Sequence, residues 1–283
     1  MARCLVTGYR GYIGSALFSK LESLGHEVRG VDLICKKRPV DIRSKEFFSS
    51  DYWNDFKPEF IFHLAAFPSV QYSVQNPSFS LSNNVCGTST ILEFAKNVGA
   101  KRVIFSSSAA VYGNDGTPSN PYGLHKLMSE MECKLYSELY DLDTVSLRYF
   151  NVFSENQIFG GPYSTVITAW RWALRNNKPL IIHGDGQQTR DFIHLDDIVD
   201  CNVFCMNYEN NFKGQHCDVG NGVSLSLSDL KKIISKIKKC NWIYENERVG
   251  DVKKSCADIS QLTKMGWIPK TNTTNSIKQI FGG

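Results

Sequence analysis

Short apolar runs alternate with helix-like segments through the first half of the chain. Runs rich in β-branched and apolar residues predict strands at residues 3–7, 27–32, 60–64, 102–106 and 144–148. Between the first two, Ile13, Leu17, Leu21 and Leu24 recur at helical spacing, and Gly25 is a typical helix terminator. Longer helical segments are predicted around residues 83–98 and 122–140. This alternation predicts an α/β protein built on a doubly wound parallel sheet.

The pattern changes after Asn151. Breaks that contain glycine, at residues 160–162 and 184–186, separate shorter helical segments from one another. We therefore predict a first domain over residues 1–152, rejoined by a segment near residues 190–210. A smaller, mixed α/β lobe is predicted over residues 153–283.

Charge and composition exclude several classes of protein. The formal charge is only +4, and the most basic stretch, residues 229–239, has Leu230, Ile233, Ile234 and Ile237 at helical spacing. Its lysines are then a solvated helix face, and a nucleic-acid partner is not expected because interleaved aromatic residues are missing. No apolar run approaches the roughly 18 residues of a membrane span. The first residues lack the layout of a secretory signal, so we expect a cytoplasmic protein without a membrane partner.

The nine cysteines are scattered along the chain and form no Cys-x-x-Cys pair. This distribution favours free thiols in a reducing compartment over a disulfide framework or a metal site. Cys201 and Cys205 share one face of a predicted helix, where they are expected to act as small packing residues.

A glycine-rich turn follows the first predicted strand and precedes the first helix. In such a turn Gly8 permits the tight bend, Gly11 lets the backbone approach a pyrophosphate, and Gly14 lets helix and strand pack closely. The helix N-terminus adds free N–H donors for phosphate oxygens. This context predicts a Rossmann-type dinucleotide site. Its turn comprises Gly8, Tyr9, Arg10, Gly11, Tyr12, Ile13 and Gly14.

The second predicted strand ends at Asp32, where a carboxylate accepts hydrogen bonds from the adenosine ribose. The same carboxylate repels a 2′-phosphate, so NAD is expected rather than NADP. Lys36, Lys37 and Arg38 follow closely and keep NADP open as the alternative, since they provide charges that attract the extra phosphate.

Further along, two short motifs fit the same cofactor. Asp41 and Ile42 lie where residues that flank the adenine are expected. The third predicted strand ends in His63-Leu64-Ala65-Ala66, whose small residues allow the dinucleotide to lie against the backbone. Leu64, Ala65 and Ala66 are therefore cofactor candidates, whereas His63 is interpreted as a packed residue with its hydrogen bonds satisfied.

Candidate catalytic groups follow the fourth predicted strand. Ser106 and Ser108 lie at the carboxyl edge of the sheet, where doubly wound proteins bind their ligands. Tyr122 and Lys126, four residues apart, share one face of a helix. A free tyrosine titrates near pH 10 and is a poor base at neutral pH. An adjacent ammonium group favours the phenolate, which can then accept a hydroxyl proton as hydride leaves the same carbon.

The motifs TGYRGYIG, HLAA, SSSAAVYG, YGLHK, RYFN and GDGQQTRDFIHLDD occur in this order, together with Asp32. In this combination the chain resembles the extended short-chain dehydrogenase/reductases, and among them most closely the UDP-hexose 4-epimerases. The resemblance spans nearly the whole chain. It implies that Ser108, Tyr122 and Lys126 are catalytic, that the cofactor is NAD and that the enzyme is a homodimer.

The resemblance also implies roles for residues outside the catalytic motifs. Asn84, Ser106 and Tyr149 are expected beside the cofactor. Asn151, Arg190 and Arg248 are expected at the sugar diphosphate, where a guanidinium fork suits phosphate oxygens. Ser255 stands at a position that is either a bulky tyrosine or a small residue in the family. A small residue here predicts that N-acetylated hexoses are accepted.

Ala109 and Ala110 favour one reaction among sister enzymes. Sugar dehydratases of the resembled family carry acidic residues at these positions, which two alanines cannot replace. We therefore expect oxidation at C4 of a UDP-hexose, with Tyr122 as base, to a 4-keto intermediate that is then reduced from the other face. Two alternatives remain open: an NAD(P)-dependent reductase of a 4-keto nucleotide sugar, and a cofactor-binding regulator without catalysis.

Overall fold

A parallel sheet, with six strands in the described residues, forms the centre of the protein. The structure is a computed structural model that describes residues 1–36, 38–160, 164–247 and 252–282. The strands in chain order are β1 (Arg3–Thr7), β2 (Glu27–Val31), β3 (Phe60–His63), β4 (Arg102–Ser108), β5 (Asp143–Tyr149), β6 (Asn151–Phe153), β7 (Leu180–His183), β8 (Thr189–His194), β9 (His216–Val219), β10 (Ser224–Ser226) and β11 (Trp242–Glu245). Within these described ranges no helix is both long and apolar enough to cross a bilayer.

The central sheet has the strand order β2-β1-β3-β4-β5-β9, and every neighbouring pair in it is parallel. The predicted doubly wound parallel sheet is therefore confirmed. The prediction for residues 102–106 was too short, because β4 continues to Ser108, which is in register with Tyr149 of β5. Strand β9 joins the sheet from the second half of the chain and was not predicted.

Helices cover both faces of this sheet and build the smaller lobe. They are α1 (Tyr12–Ser23), α2 (Lys45–Phe48), α3 (Val70–Gln75), α4 (Pro77–Leu81), α5 (Gly87–Val98), α6 (Pro121–Tyr140), α7 (Val166–Arg175), α8 (Leu195–Asn207), α9 (Leu227–Ser235), α10 (Ser260–Met265) and α11 (Thr273–Gly282). Successive strand residues point to opposite faces. Cys4 and Val6 of β1 accordingly pack with α1 and α8, whereas Leu5 packs with α5. Cys201 and Cys205 of α8 are fully buried in the first of these cores, as predicted for packing residues.

Two helical predictions need correction. Leu24 was predicted to lie on the apolar side of the first helix. It is instead the C-cap residue that directly follows α1, and it is 46% exposed. The segment predicted around residues 83–98 is not one regular helix. A π-helical turn occupies Ser82–Cys86 and continues into α5 at Gly87. Such turns contain an extra residue, which shifts the register of side chains on either side.

The smaller lobe contains the sheets β10-β8-β6 and β11-β7. Its core includes Phe153, Trp170, Ile234 and Ile277. The first part of the basic segment lies in α9, in which Leu230 and Ile234 are buried as predicted. The predicted helix was too long at its end, because α9 stops at Ser235 and Lys238 and Lys239 lie beyond it. Helix α8 leaves this lobe and packs against α1 and β4 of the central sheet.

Candidate active site

The glycine-rich turn lies directly against the chain that leaves β3. Gly8 has a positive φ of 72°, and a Cβ atom placed on it would come within 2.8 Å of the Ala65 backbone nitrogen. A Cβ on Gly14 would lie 2.1 Å from the Gly8 carbonyl oxygen. Gly11 precedes α1 and contributes no side-chain hydrogen bond to cap it. The N-terminus of α1 can therefore offer backbone N–H groups to a phosphate.

Asp32 lies beside this turn at the end of β2. One of its carboxylate oxygens accepts a hydrogen bond from the Arg10 backbone nitrogen at 3.0 Å. Of the basic residues at positions 36–38 that follow Asp32, only Arg38 has a described contact. The Arg38 guanidinium lies over the Tyr52 ring at 4.1 Å from its centroid. Lys36 is exposed, and Lys37 falls outside the described residues.

A cavity of about 970 Å³ runs from the glycine-rich turn to the carboxyl ends of β4 and β5. Its volume is at the upper end of the range of about 300–1,000 Å³ that is usual for small-molecule and cofactor sites. Most of the predicted site residues line it, namely Gly8, Arg10, Gly11, Tyr12, Ile13, Gly14, Asp32, Asp41, Ile42, Leu64, Ala65, Ala66, Ser106, Ser108, Tyr122, Lys126 and Tyr149. Among the described residues no group of histidine, cysteine, aspartate and glutamate side chains is arranged to hold a metal ion.

Tyr122 and Lys126 occupy one buried face of α6. This helix begins at Pro121, and the Asn120 side chain caps it by accepting from the Gly123 backbone nitrogen at 2.9 Å. The Lys126 Nζ atom lies 6.0 Å from the centroid of the Tyr122 ring and donates to the Ser106 carbonyl oxygen at 2.6 Å. Burial lowers the pKa of Lys126 to about 8, because the interior disfavours its charged form.

The turn that follows Ser108 packs closely against the start of α6. The Ser108 hydroxyl oxygen accepts a hydrogen bond from the Ala110 backbone nitrogen at 3.2 Å. A Cβ on Gly123 would lie 2.3 Å from the Ala110 carbonyl oxygen, so only glycine allows this approach of the helix. The Tyr122 backbone nitrogen donates to the hydroxyl of Ser73 at 3.1 Å. The roles of Gly123 and Ser73 were not predicted.

Asn84 tethers the loop after β3 instead of lining the cavity. Its side-chain oxygen accepts from the Phe67 backbone nitrogen at 2.8 Å, and its amide nitrogen donates to the Phe67 carbonyl at 3.2 Å. The neighbouring Asn83 lines the cavity. Tyr9, another predicted contact, packs its ring against Gly30 and Phe18 at the base of the turn.

The residues predicted to hold the sugar diphosphate lie at the edge of the smaller lobe. The Asn151 side chain donates to the Asp191 carbonyl oxygen at 2.9 Å, and Arg190 donates to the Thr189 carbonyl at 2.8 Å. Ser255 is partly buried and lies two residues before Ala257, whose backbone nitrogen donates to the Asp191 carboxylate at 3.1 Å. Arg248 lies outside the described residues.

His63 is held between two hydroxyl groups inside the protein. Its Nδ1 atom is 2.8 Å from the Thr7 hydroxyl, and its Nε2 atom is 3.0 Å from that of Thr88. Burial, followed by the charge of Lys126, lowers the pKa of His63 to about 3, so the ring is neutral. The prediction of a packed, satisfied histidine is confirmed.

Comparison with known proteins gives consistent results. The NAD dependent epimerase/dehydratase family model matches residues 4–220. A putative UDP-glucose 4-epimerase of Methanocaldococcus jannaschii is 33% identical in an alignment 298 positions long, gaps included. The alignment covers 98% of this chain and 96% of that protein. A crystal structure of UDP-glucose 4-epimerase with UDP-glucose from Thermotoga maritima superposes with a TM-score of 0.91 at 29% identity, covering 98% and 97% of the two chains. The UDP-N-acetylglucosamine 4-epimerase of Methanobrevibacter ruminantium, in complex with UDP-N-acetylmuramic acid, gives a TM-score of 0.88 at 31% identity and 99% and 97% coverage.

Proposed function

The chain belongs to the NAD dependent epimerase/dehydratase family, and from that premise we propose that it inverts C4 of a UDP-hexose. The observation that carries this proposal is the pairing of Tyr122 with Lys126 on the buried face of α6. The Lys126 ammonium lies 6.0 Å from the phenol ring, at the edge of the cavity that begins at the glycine-rich turn. The division into a cofactor-binding part, residues 1–152, and a sugar-nucleotide part, residues 153–283, belongs to the same proposal.

The residues present fit NAD, the cofactor of this family. Gly8 and Gly14 leave the turn no room for a Cβ atom, and the N-terminus of α1 faces the cavity. Asp32 lies where a ribose hydroxyl can donate to it. The Arg38 guanidinium lies over the Tyr52 ring, and this contact supports NAD over NADP because it would have to be given up for Arg38 to bind a 2′-phosphate. When bound, NAD supplies the acceptor and the donor of the hydride.

Side chains of the protein transfer the proton of the sugar hydroxyl. Tyr122 takes the proton of the C4 hydroxyl in the oxidation step and returns it in the reduction step. The Lys126 ammonium favours the phenolate form of Tyr122 through its charge. Ser108, at the cavity wall, donates a hydrogen bond to the reacting oxygen. Ala109 and Ala110 provide no acid that expels water, which favours epimerisation over dehydration.

We assign the diphosphate to the smaller lobe. Asn151, Arg190 and Arg248 are proposed as its contacts, because guanidinium and amide donors match phosphate oxygens. The hexose must turn over between oxidation and reduction. Most of the binding energy should therefore come from the nucleotide and its diphosphate rather than from the sugar.

The deciding experiment uses the purified protein with UDP-glucose, UDP-N-acetylglucosamine and UDP-glucuronate. Anomeric proton NMR is expected to show the C4 epimer of at least one substrate, and Tyr122→Phe is expected to abolish the conversion without changing the circular dichroism spectrum. Dinucleotide retained through purification would favour an epimerase over a one-way reductase, which releases its cofactor in each turnover. A wild-type protein inert toward all three sugars would refute the proposal and favour the regulator.

Ser255 provides the test of sugar preference. We propose that its small side chain leaves space for an N-acetyl group, so the protein should convert UDP-N-acetylglucosamine as well as UDP-glucose. Ser255→Tyr is expected to remove the first activity and spare the second. Ser255→Ala, which keeps the pocket open, is the matched control. An equal loss on both substrates in Ser255→Tyr would contradict the assignment.

We also propose that two copies of the chain associate through α6. On the side of this helix opposite Tyr122, large apolar side chains recur seven or four residues apart and are 47–66% exposed. They are Leu124, Met131, Leu135 and Leu139. Such a stripe is typical of a helix that packs against a partner helix. Sedimentation analysis should give a dimer for the wild type and a monomer for the Met131→Glu, Leu135→Glu double variant. A monomeric wild type would contradict this.

A further inference from the structure

A buried cluster of polar side chains lies behind the proposed active site. Glu130, one turn beyond Lys126 on α6, forms a two-pronged ion pair with Arg148 of β5. The Arg148 Nε atom is 2.9 Å from one carboxylate oxygen, and an Nη atom is 2.6 Å from the other. Glu130 also accepts a hydrogen bond from the Ser107 hydroxyl of β4. These contacts join the catalytic helix to the strands that carry Ser108 and Tyr149.

Tyr112 connects this ion pair to β9 at the edge of the central sheet. It ends the short helical turn that begins after Ser108. The Tyr112 hydroxyl accepts from Arg148 at 2.8 Å and donates to Asp218 of β9 at 2.7 Å. Its ring lies against the Arg148 guanidinium, 4.8 Å from the ring centroid. Burial raises the pKa of Tyr112 to about 12, so it remains a donor at neutral pH.

Asp218 extends the chain of contacts to the segment that contains Ser255. Its second carboxylate oxygen accepts from the Asp258 backbone nitrogen at 3.0 Å. The adjacent Ala257 backbone nitrogen donates to Asp191. The backbone at Ala257 and Asp258, just after Ser255, is thus held by two buried carboxylates. Through Asp218 this segment is connected to Tyr112 and the turn after Ser108.

We propose that Tyr112 is a positioning residue that fixes the Ser108 turn and the segment 255–258 relative to each other, and so sets the width of the sugar pocket. The assignment of this pocket rests on the proposed function. Tyr112 is assigned no direct contact with the substrate, because its hydroxyl is already engaged with Arg148 and Asp218. Its hydroxyl is the shared partner of one buried cation and one buried anion. Without it, an Arg148 donor and an Asp218 oxygen would be left unpaired, and both segments would be free to shift.

Hydrogen exchange measures this coupling independently of activity. In Tyr112→Phe, amide exchange is expected to accelerate about tenfold both in the turn at residues 108–113 and in residues 255–260, with the glycine-rich turn unchanged. Tyr136→Phe is the matched control, because the Tyr136 ring lies 4.9 Å from that of Tyr140 on the same helix and has no role in the cluster. Acceleration confined to residues 108–113 would overturn the proposal.

Kinetics test the consequence for the sugar. Tyr112→Phe should raise KM for the UDP-hexose about tenfold while the Kd values for UDP alone and for NAD stay within twofold of the wild type. If Tyr112 only stabilised the fold, its loss would raise the KM for the UDP-hexose and the Kd values for UDP and NAD together, or none of them. If Tyr112→Phe does not fold, Asp218→Asn, which keeps the side-chain size, should give the same pattern. An unchanged KM in a folded variant would overturn the proposal. A wild type inert toward every sugar would instead refute the proposed function, and hydrogen exchange alone would then decide whether Tyr112 couples the two segments.

Discussion

Replacing Lys126 by methionine should stabilise the protein while abolishing its activity. The Lys126 side chain is 2% exposed, and burial lowers its pKa from the ordinary 10.5 to about 8. At about 1.4 kcal/mol for each pKa unit, holding the charged form in the interior costs about 3 kcal/mol at pH 7. Methionine has a similar length and carries no charge. It forfeits the hydrogen bond to the Ser106 carbonyl, worth about 1 kcal/mol, so a net gain of about 2 kcal/mol is expected.

The gain should depend on pH in a definite direction. Between about pH 8 and pH 10.5 the unfolded chain holds the Lys126 proton and the folded protein does not. Wild-type stability therefore rises with pH in this window, and the advantage of Lys126→Met shrinks and changes sign near its upper end, where only the lost hydrogen bond, worth about 1 kcal/mol, remains. Below pH 8 both states of the wild type are protonated, and the advantage is constant.

The assay is thermal unfolding of nucleotide-free protein at pH 7 and pH 9.5, with epimerase activity measured in parallel. A gain of about 2 kcal/mol corresponds to a rise in Tm of roughly 4–8 °C. Lys134→Met on the same helix is the control, because the Lys134 side chain is 63% exposed and should change Tm little at either pH. A Lys126→Met protein that melts below the wild type at pH 7 would refute the reasoning.

Three further outcomes are expected. Glu130→Ala leaves the Arg148 guanidinium unpaired in the interior and should lower the unfolding free energy by about 3–5 kcal/mol in urea titrations; a loss below about 1 kcal/mol would contradict the role of this pair. Gly14→Ala places a Cβ atom 2.1 Å from the Gly8 carbonyl oxygen and should raise the Kd for NAD, measured by calorimetry, at least about tenfold. Gly11→Ala is the comparison, because its Cβ would lie 3.1 Å from the same oxygen and should raise the Kd less. Arg38→Ala should leave the ratio of NAD to NADP affinities within about threefold of the wild type, because its guanidinium is engaged with aromatic rings; a strong shift toward NAD would mean that Arg38 attracts the phosphate.

The elements that were predicted correctly are those whose pattern is local. The glycine-rich turn and the Tyr122–Lys126 pair are encoded within a few residues, so strand, turn and helix could be placed from the sequence. Strand β9 was missed because it has four residues, two of them polar, and its partner β5 is remote in the chain. The π-helical turn at Ser82–Cys86 was missed because an extra residue interrupts the 3.6-residue period without changing the composition.

Side-chain contacts between distant segments could not be predicted for a related reason. The hydrogen bond from Tyr112 to Asp218 joins residues 106 positions apart, and nothing near either residue indicates the other. Asn84 was expected beside the cofactor from the motif that contains it. Its actual partners, the backbone groups of Phe67, depend on how the loop after β3 folds back. Motifs thus predicted which residues lie around the cavity more reliably than what each side chain touches.

The packing of α8 on α1 has a consequence for synthesis of the protein. Helix α1 is complete after Ser23, but the apolar surface that it shares with α8 stays uncovered until residues 195–207 have left the ribosome. Strand β5 likewise has an unpaired edge until β9 has been synthesised. A nascent chain of about 150 residues therefore exposes apolar surface and an open strand edge, which are the features that chaperones bind and that promote aggregation. The nucleotide-binding half of this enzyme matures only when most of the polypeptide has been translated.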